Sequence, residues 1–261
     1  MRWIVRLTSL LCIPITYLLA MQTQPAPHDR RPTEFFFARL EYPGFFDDRY
    51  VKNWYTDYPL TDDHIVQLLN RYTNIRAAAV RVMPGSRNLY KFPMIYTVEP
   101  EQMNVSPGDI VNLREYITRG GFWFADDFHG AEEFETFDNL VRRILPDAIR
   151  VELSAEHPLF HIFFDIDKIE QTVHDGLVLC ATAGCDQFEN GESGRDPAVL
   201  AYYNLADWQT SSDNARILVV AAYNTDLGDG LEHADISWYP EWMSAYAAKL
   251  MTNIILWGLT H

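Results

Sequence analysis

The chain has 261 residues, of which 36 are acidic and 21 basic, for a formal charge of -15. That balance repels phosphate backbones and argues against nucleic acid as a partner. The length suffices for one large α/β domain or two small ones, and hydrophobic residues at 48% with aromatics at 14% can build a sizeable core.

Arg2 and Arg6 precede an apolar run, Leu7 to Met21, broken only by Thr8, Ser9, Pro14 and Thr16. Residues 1–21 therefore read as a signal peptide, with an N-terminal membrane anchor as the rival. Residues 22–33 read as a linker, and 34–261 as a single domain. Either N-terminal reading sends the chain to the periplasm or to the periplasmic face of the inner membrane. Cys180 and Cys185 would there either pair or stay as buried thiols.

Glu34 to Tyr42 reads as the first strand, with Arg39 embedded in it and in need of an acidic partner. An aromatic loop follows over 43–59 and contains Tyr50, Trp54, Tyr55, Asp57 and Tyr58. Thr61 looks like the cap of a helix running to Arg71. Ala77–Val82 and Phe92–Val98 read as strands. Ser106, Pro107 and Asp109 form a helix-start signal, a short capping box with proline at the first turn. Gly120-Gly121 ends that helix, and Phe122–Ala125 is an apolar run of the kind found in a strand covered on both faces. Asp126 and Asp127 then stand where the strand stops, with His129 at the entry to the next helix. That helix runs from Glu132 to Leu145 and is stopped by Pro146. Ile149–Leu153, Leu177–Ala183, Ala198–Asn204 and Ala215–Tyr223 read as further strands. A long final helix starts at Pro240 and ends near Gly258, with Trp242, Tyr246, Leu250, Ile254 and Trp257 as one apolar stripe that reads as core. Alternation of strands and helices predicts a three-layer α/β fold, a mainly parallel sheet with helices on both faces.

Open α/β sheets bind ligands at the carboxyl ends of their strands. Candidate ligand-binding residues are accordingly Arg39, Asp57, Tyr58, Asp126, Asp127, His129 and Asn224. Carboxylates at such an edge are also ligands for hard cations. Candidate metal ligands are Asp126, Asp127, Asp226, Asp229 and Glu232, for Mg²⁺ or Ca²⁺. A solvated acidic turn is the plainer reading of 224–232, and a helix cap or salt bridge the plainer reading of Asp126 and Asp127. Adjacent strand residues face opposite ways, so Asp126 and Asp127 share a site only if the strand has already ended. The two acidic clusters share a sheet edge only if their strands are parallel neighbours. The sequence has no nucleophile elbow, no His-Glu-x-x-His, no phosphate loop and no dinucleotide fingerprint.

The ordered set FFFARLEY, Asp-Tyr-Pro at 57–59, FPMIY, LREYITRGGFWFADDFHG, His-Pro-Leu-Phe at 157–160, YNTDLGDGLE and the terminal NIILWGLTH resembles a bacterial family, domain of unknown function 4159. The resemblance covers nearly all of 34–261 and implies a flavodoxin-like, class I glutamine-amidotransferase-like domain. It implies no activity, and the chain lacks the cysteine elbow of active amidotransferases. Two functions follow as expectations. One is a non-catalytic module that binds a small molecule, a carbohydrate or another envelope protein at the carboxyl edge of its sheet. The other is a divalent-metal-assisted hydrolase.

Overall fold

Seven apolar runs pair into one sheet in the order β2-β1-β3-β4-β7-β6-β5. The strands are β1 (Phe35–Leu40), β2 (Ala77–Val82), β3 (Met94–Val98), β4 (Phe122–Asp126), β5 (Ala148–Leu153), β6 (Ala198–Asn204) and β7 (Ile217–Tyr223). All pairs from β2 through β7 are parallel, whereas β6 runs antiparallel to both β7 and β5. The computed structural model describes residues 32–44, 53–184 and 188–261. The expected signal or anchor segment, most of the linker, Tyr50 of the aromatic loop and Cys185 lie outside the described residues. Cys180 is disulfide-bonded. Among the described residues no helix is long and apolar enough to cross a membrane.

The helices are α1 (Leu60–Tyr72), α2 (Pro107–Thr118), α3 (Gly130–Ile144), α4 (Asp175–Ala183), α5 (Leu205–Thr210), α6 (Leu227–Glu232) and α7 (Glu241–Thr260). Two cores lie on the two faces of the sheet, as side-chain alternation along each strand requires. On one, Phe37, Tyr96, Phe124 and Val220 meet Ile65 and Leu69 of α1, Leu231 of α6, and Leu250 and Ile254 of α7. On the other, Ile95, Trp123 and Ala221 meet Leu113 of α2 and Phe137 and Val141 of α3. The α/β architecture is therefore three-layered, with helices on both faces.

Local chemistry explains the element ends. The Ser106 hydroxyl accepts from the Asp109 amide at 3.2 Å, and Asp109 accepts from the Ser106 amide at 3.0 Å, so the expected capping box forms. Gly120 has φ 113, a backbone state that a side chain would strain, and it turns the chain into β4.

Four expectations are corrected. Leu177–Ala183 is not a strand but most of α4. A short apolar run fits a buried strand and a helix equally by periodicity; here Asp175 starts the helix and Gly184, at φ 79, ends it. Thr61 does not cap α1. Its hydroxyl donates instead to the Gly228 carbonyl at 2.7 Å, tying α1 to α6. Trp242, expected on the buried stripe of α7, is 52% exposed. The segment after β7 is no solvated turn: Asn224, Asp226 and Asp229 are all buried, and 227–232 is helical.

Candidate cation site at the carboxyl edge

Strands β4 and β7 are parallel neighbours, so their two acidic ends meet on one edge. β4 ends at Asp126. Asp127 has already left the strand, in the left-handed region at φ 59. Asp57, Glu99 and Asn224 adopt the same backbone state at φ 62, 47 and 54. Four non-glycine residues in this costly conformation lie around the carboxyl edge, where backbone strain accompanies ligand sites.

Asp57, Asp127 and Asp226 come together here, each offering a carboxylate oxygen within 4.8 Å of the others. They arrive from three separate segments: the aromatic loop after β1, the end of β4, and the N-cap of α6. All three are buried, with 7%, 2% and 2% of their surface exposed. The Asp57 Oδ2 atom is buried without a hydrogen-bond partner. Burial holds Asp57 well above the usual carboxylate range, and the charges of Asp229 and Asp127 add to that. Burial does the same to Asp226, with Asp127 and Asp229 next in weight. Backbone contacts fix the positions. Asp226 accepts from the Asp229 amide at 2.7 Å, and its own amide donates to the Thr172 carbonyl at 3.1 Å. Gly228 leaves room for Asp57, since a Cβ there would fall 2.0 Å from Asp57 Oδ2.

Asp126 is directed elsewhere. Its carboxylate accepts from the Tyr96 hydroxyl at 3.0 Å, from the Gly228 amide at 2.9 Å and from the Leu227 amide at 3.3 Å. It thus caps α6, and burial, with Asp127 beside it, pushes it up to about 7. Asp229 and Glu232 group with His233, whose Nδ1 lies 3.0 Å from Asp229 Oδ1. That hydrogen bond lifts the His233 imidazole to about 9.

The remaining candidates build the frame. Arg39 is fully buried and pairs with Asp62, at 2.7 Å through Nε. It also donates to the Trp54 and Thr56 carbonyls at 3.2 and 3.0 Å, and so pins the loop that carries Asp57. Tyr58 packs in the same loop against Trp54 and Tyr55, at 5.8 and 5.5 Å between ring centroids. Asn224 accepts from the Gly130 amide at 2.8 Å and donates to the Ser193 and Asp196 carbonyls at 3.1 and 2.9 Å. Its side chain is a clamp between the end of β7, α3 and the 193–196 segment.

His129, at the start of α3, is fully buried, with its Nε2 3.1 Å from Asp127 Oδ1 and 3.9 Å from Glu189 Oε1. Glu189 was missed in the sequence because it stands in a polar, glycine-rich stretch. Glu99 and Glu101 were missed although they directly follow β3; the strand-end rule applied to β4 and β7 finds them too. Burial, with Glu133 nearby, pushes Glu101 up to about 7. A cleft of about 690 Å³ opens beside these groups, with Glu101, Gln102, His129, Glu133 and Asn190 in its wall.

A family model described as Domain of unknown function (DUF4159) matches residues 36–259. No curated protein matches the chain.

Proposed function

We propose, for a chain that belongs to the DUF4159 domain-of-unknown-function family, a binding module whose primary ligand is a hard divalent cation held by Asp57, Asp127 and Asp226. One observation carries this reading. Three buried carboxylates converge within 4.8 Å, and one of their oxygens, Asp57 Oδ2, has no hydrogen-bond partner. At an effective dielectric constant of ~20, two unit charges at that distance repel by about 3.5 kcal/mol. The nearest guanidinium, Arg39, already answers Asp62, so protons or a metal ion must offset the repulsion. Three oxygens no more than 4.8 Å apart all stand within about 2.8 Å of a common point, so a small contraction brings them to the ~2.0–2.6 Å typical of Mg²⁺ or Ca²⁺.

The ion would join the aromatic loop to the ends of β4 and β7, and so couple cation binding to the order of Trp54, Tyr55 and Tyr58. Those rings are suited to a carbohydrate, another small molecule or an envelope protein as second ligand. The near-complete burial of the three carboxylates favours holding an ion over turning over a bulky substrate. Placement in the amidotransferase-like superfamily belongs to the same proposal. The parallel core strands and the Gly120-Gly121 step into β4 support it. Location outside the cytoplasm is a further part of the proposal, supported by the 1–21 pattern and the disulfide at Cys180.

Calorimetry on chelator-stripped protein tests the reading. Mg²⁺, Ca²⁺ or Mn²⁺ should bind with measurable heat and raise the melting temperature, and Asp226→Asn should lose most of both effects. No heat and no stabilisation with any of the three would overturn it.

A further inference from the structure

We infer that the centre takes two ions, with Asp127 bridging them and the second ion held by Asp127, His129 and Glu189. This rests on the cation reading above and adds a second position to it. The Asp127, His129 and Glu189 side chains each offer a ligand atom within 4.8 Å of the others, and Asp127 also belongs to the Asp57–Asp226 group. The imidazole Nε2 stands 3.1 Å from Asp127 Oδ1 and 3.9 Å from Glu189 Oε1. Neighbouring donors around an ion with bonds of ~2.1 Å lie roughly 3–3.5 Å apart, so a small inward shift of Glu189 completes the set.

The backbone holds these groups in place before any ion arrives. The His129 amide donates to Glu133 Oε2 at 2.6 Å, and the Asn190 side chain donates to the His129 carbonyl at 2.7 Å. The second contact ties the residue next to Glu189 onto His129. Its neighbour Gly130 is fixed by Asn224. Only Phe128 separates Asp127 from His129, and the turn there brings both side chains to Glu189.

The donor chemistry differs between the two positions. The first offers oxygen only and suits Mg²⁺, Ca²⁺ or Mn²⁺; the second adds an imidazole and suits Mn²⁺ or Zn²⁺. Mn²⁺ is the ion that both accept. A shared carboxylate sets two ions about 3.5–4 Å apart. His129 is also among the residues around the cleft, so the second position lies nearer that cleft than the first.

The test is a Mn²⁺ titration of the full, chelator-stripped chain, read by metal content after dialysis and by electron paramagnetic resonance. Two ions per chain with an exchange-coupled spectrum are expected. His129→Gln should drop to one ion with an uncoupled six-line spectrum, and Asp57→Asn should also keep one. One ion in the wild type, or two with uncoupled spectra, overturns the bridged centre; the first of these results leaves the single-cation reading standing. No bound ion at all overturns that reading as well. Circular dichroism reports whether each variant folds, and the wild-type stoichiometry decides the matter without them.

Discussion

Asparagine in place of Asp57 should make the metal-free protein more stable while weakening its response to metal. The reasoning starts from the three carboxylates within 4.8 Å. Asp57→Asn removes two of the three repelling pairs, about 7 kcal/mol if every group were ionised at an effective dielectric constant of ~20. The cluster avoids most of that by retaining protons, because Asp57 and Asp226 are both held well above the usual range. A net gain of about 1–3 kcal/mol is therefore expected, the scale of one buried unsatisfied polar group. The sign follows from linkage. Acids whose folded pKa is raised contribute stability below their unfolded pKa and lose it as pH rises through the folded one. The wild type is thus most penalised in alkaline chelator, and the variant should gain most there. Urea denaturation at pH 5 and pH 8, with EDTA or with Mn²⁺, reads this directly. The variant should exceed the wild type at pH 8 in EDTA, by less at pH 5, and gain less from Mn²⁺. A variant that is weaker than the wild type at pH 8 in EDTA, and equally stabilised by Mn²⁺, would refute the reasoning.

Three further outcomes can be checked on the same footing. Metal-free wild-type protein should lose stability between pH 4 and pH 8 in part through Asp126, whose rise from 3.8 to about 7 corresponds to about 4 kcal/mol. Asp126→Asn should flatten that part of a calorimetric pH profile, and an unchanged profile would contradict the assignment. Arg39→Lys keeps a charge but not the fork that reaches Asp62, Trp54 and Thr56; it should cost about 3 kcal/mol by urea denaturation and lower cation affinity through the Asp57 loop. Gly228→Ala would set a methyl group 2.0 Å from Asp57 Oδ2 and should displace that carboxylate, weakening Mn²⁺ binding at least about tenfold at a stability cost of ~1–3 kcal/mol.

Sequence reasoning reached most of the sheet because its signals are local. The Ser106–Asp109 cap, the Gly120-Gly121 turn and the apolar run at 122–125 each have a sufficient cause within a few residues. It failed at 177–183, where an apolar run carries no period and only the fold chooses between strand and helix. The site was legible as a set of strand-end acids, and the parallel pairing of β4 with β7 brings Asp127 and Asp226 together as that rule allows. The division of labour among the acids was not legible. Asp126 is occupied by Tyr96 and by the amides of Leu227 and Gly228, contacts about 30 and 100 residues away in the chain. Asp57 was visible as a ligand-binding candidate, but only the Arg39-anchored loop carries it into the cluster. Glu189 gave no signal, because its place beside His129 depends on Asn190 bonding across to the start of α3.

The central claim is that Asp57, Asp127 and Asp226 hold a cation. Crystals grown with Mn²⁺ and measured at its absorption edge test that claim most directly. An anomalous peak about 2.1–2.3 Å from a carboxylate oxygen of each of the three residues is the predicted result. A map with no peak there, and with the three carboxyl groups within hydrogen-bond reach of one another sharing protons, would contradict it.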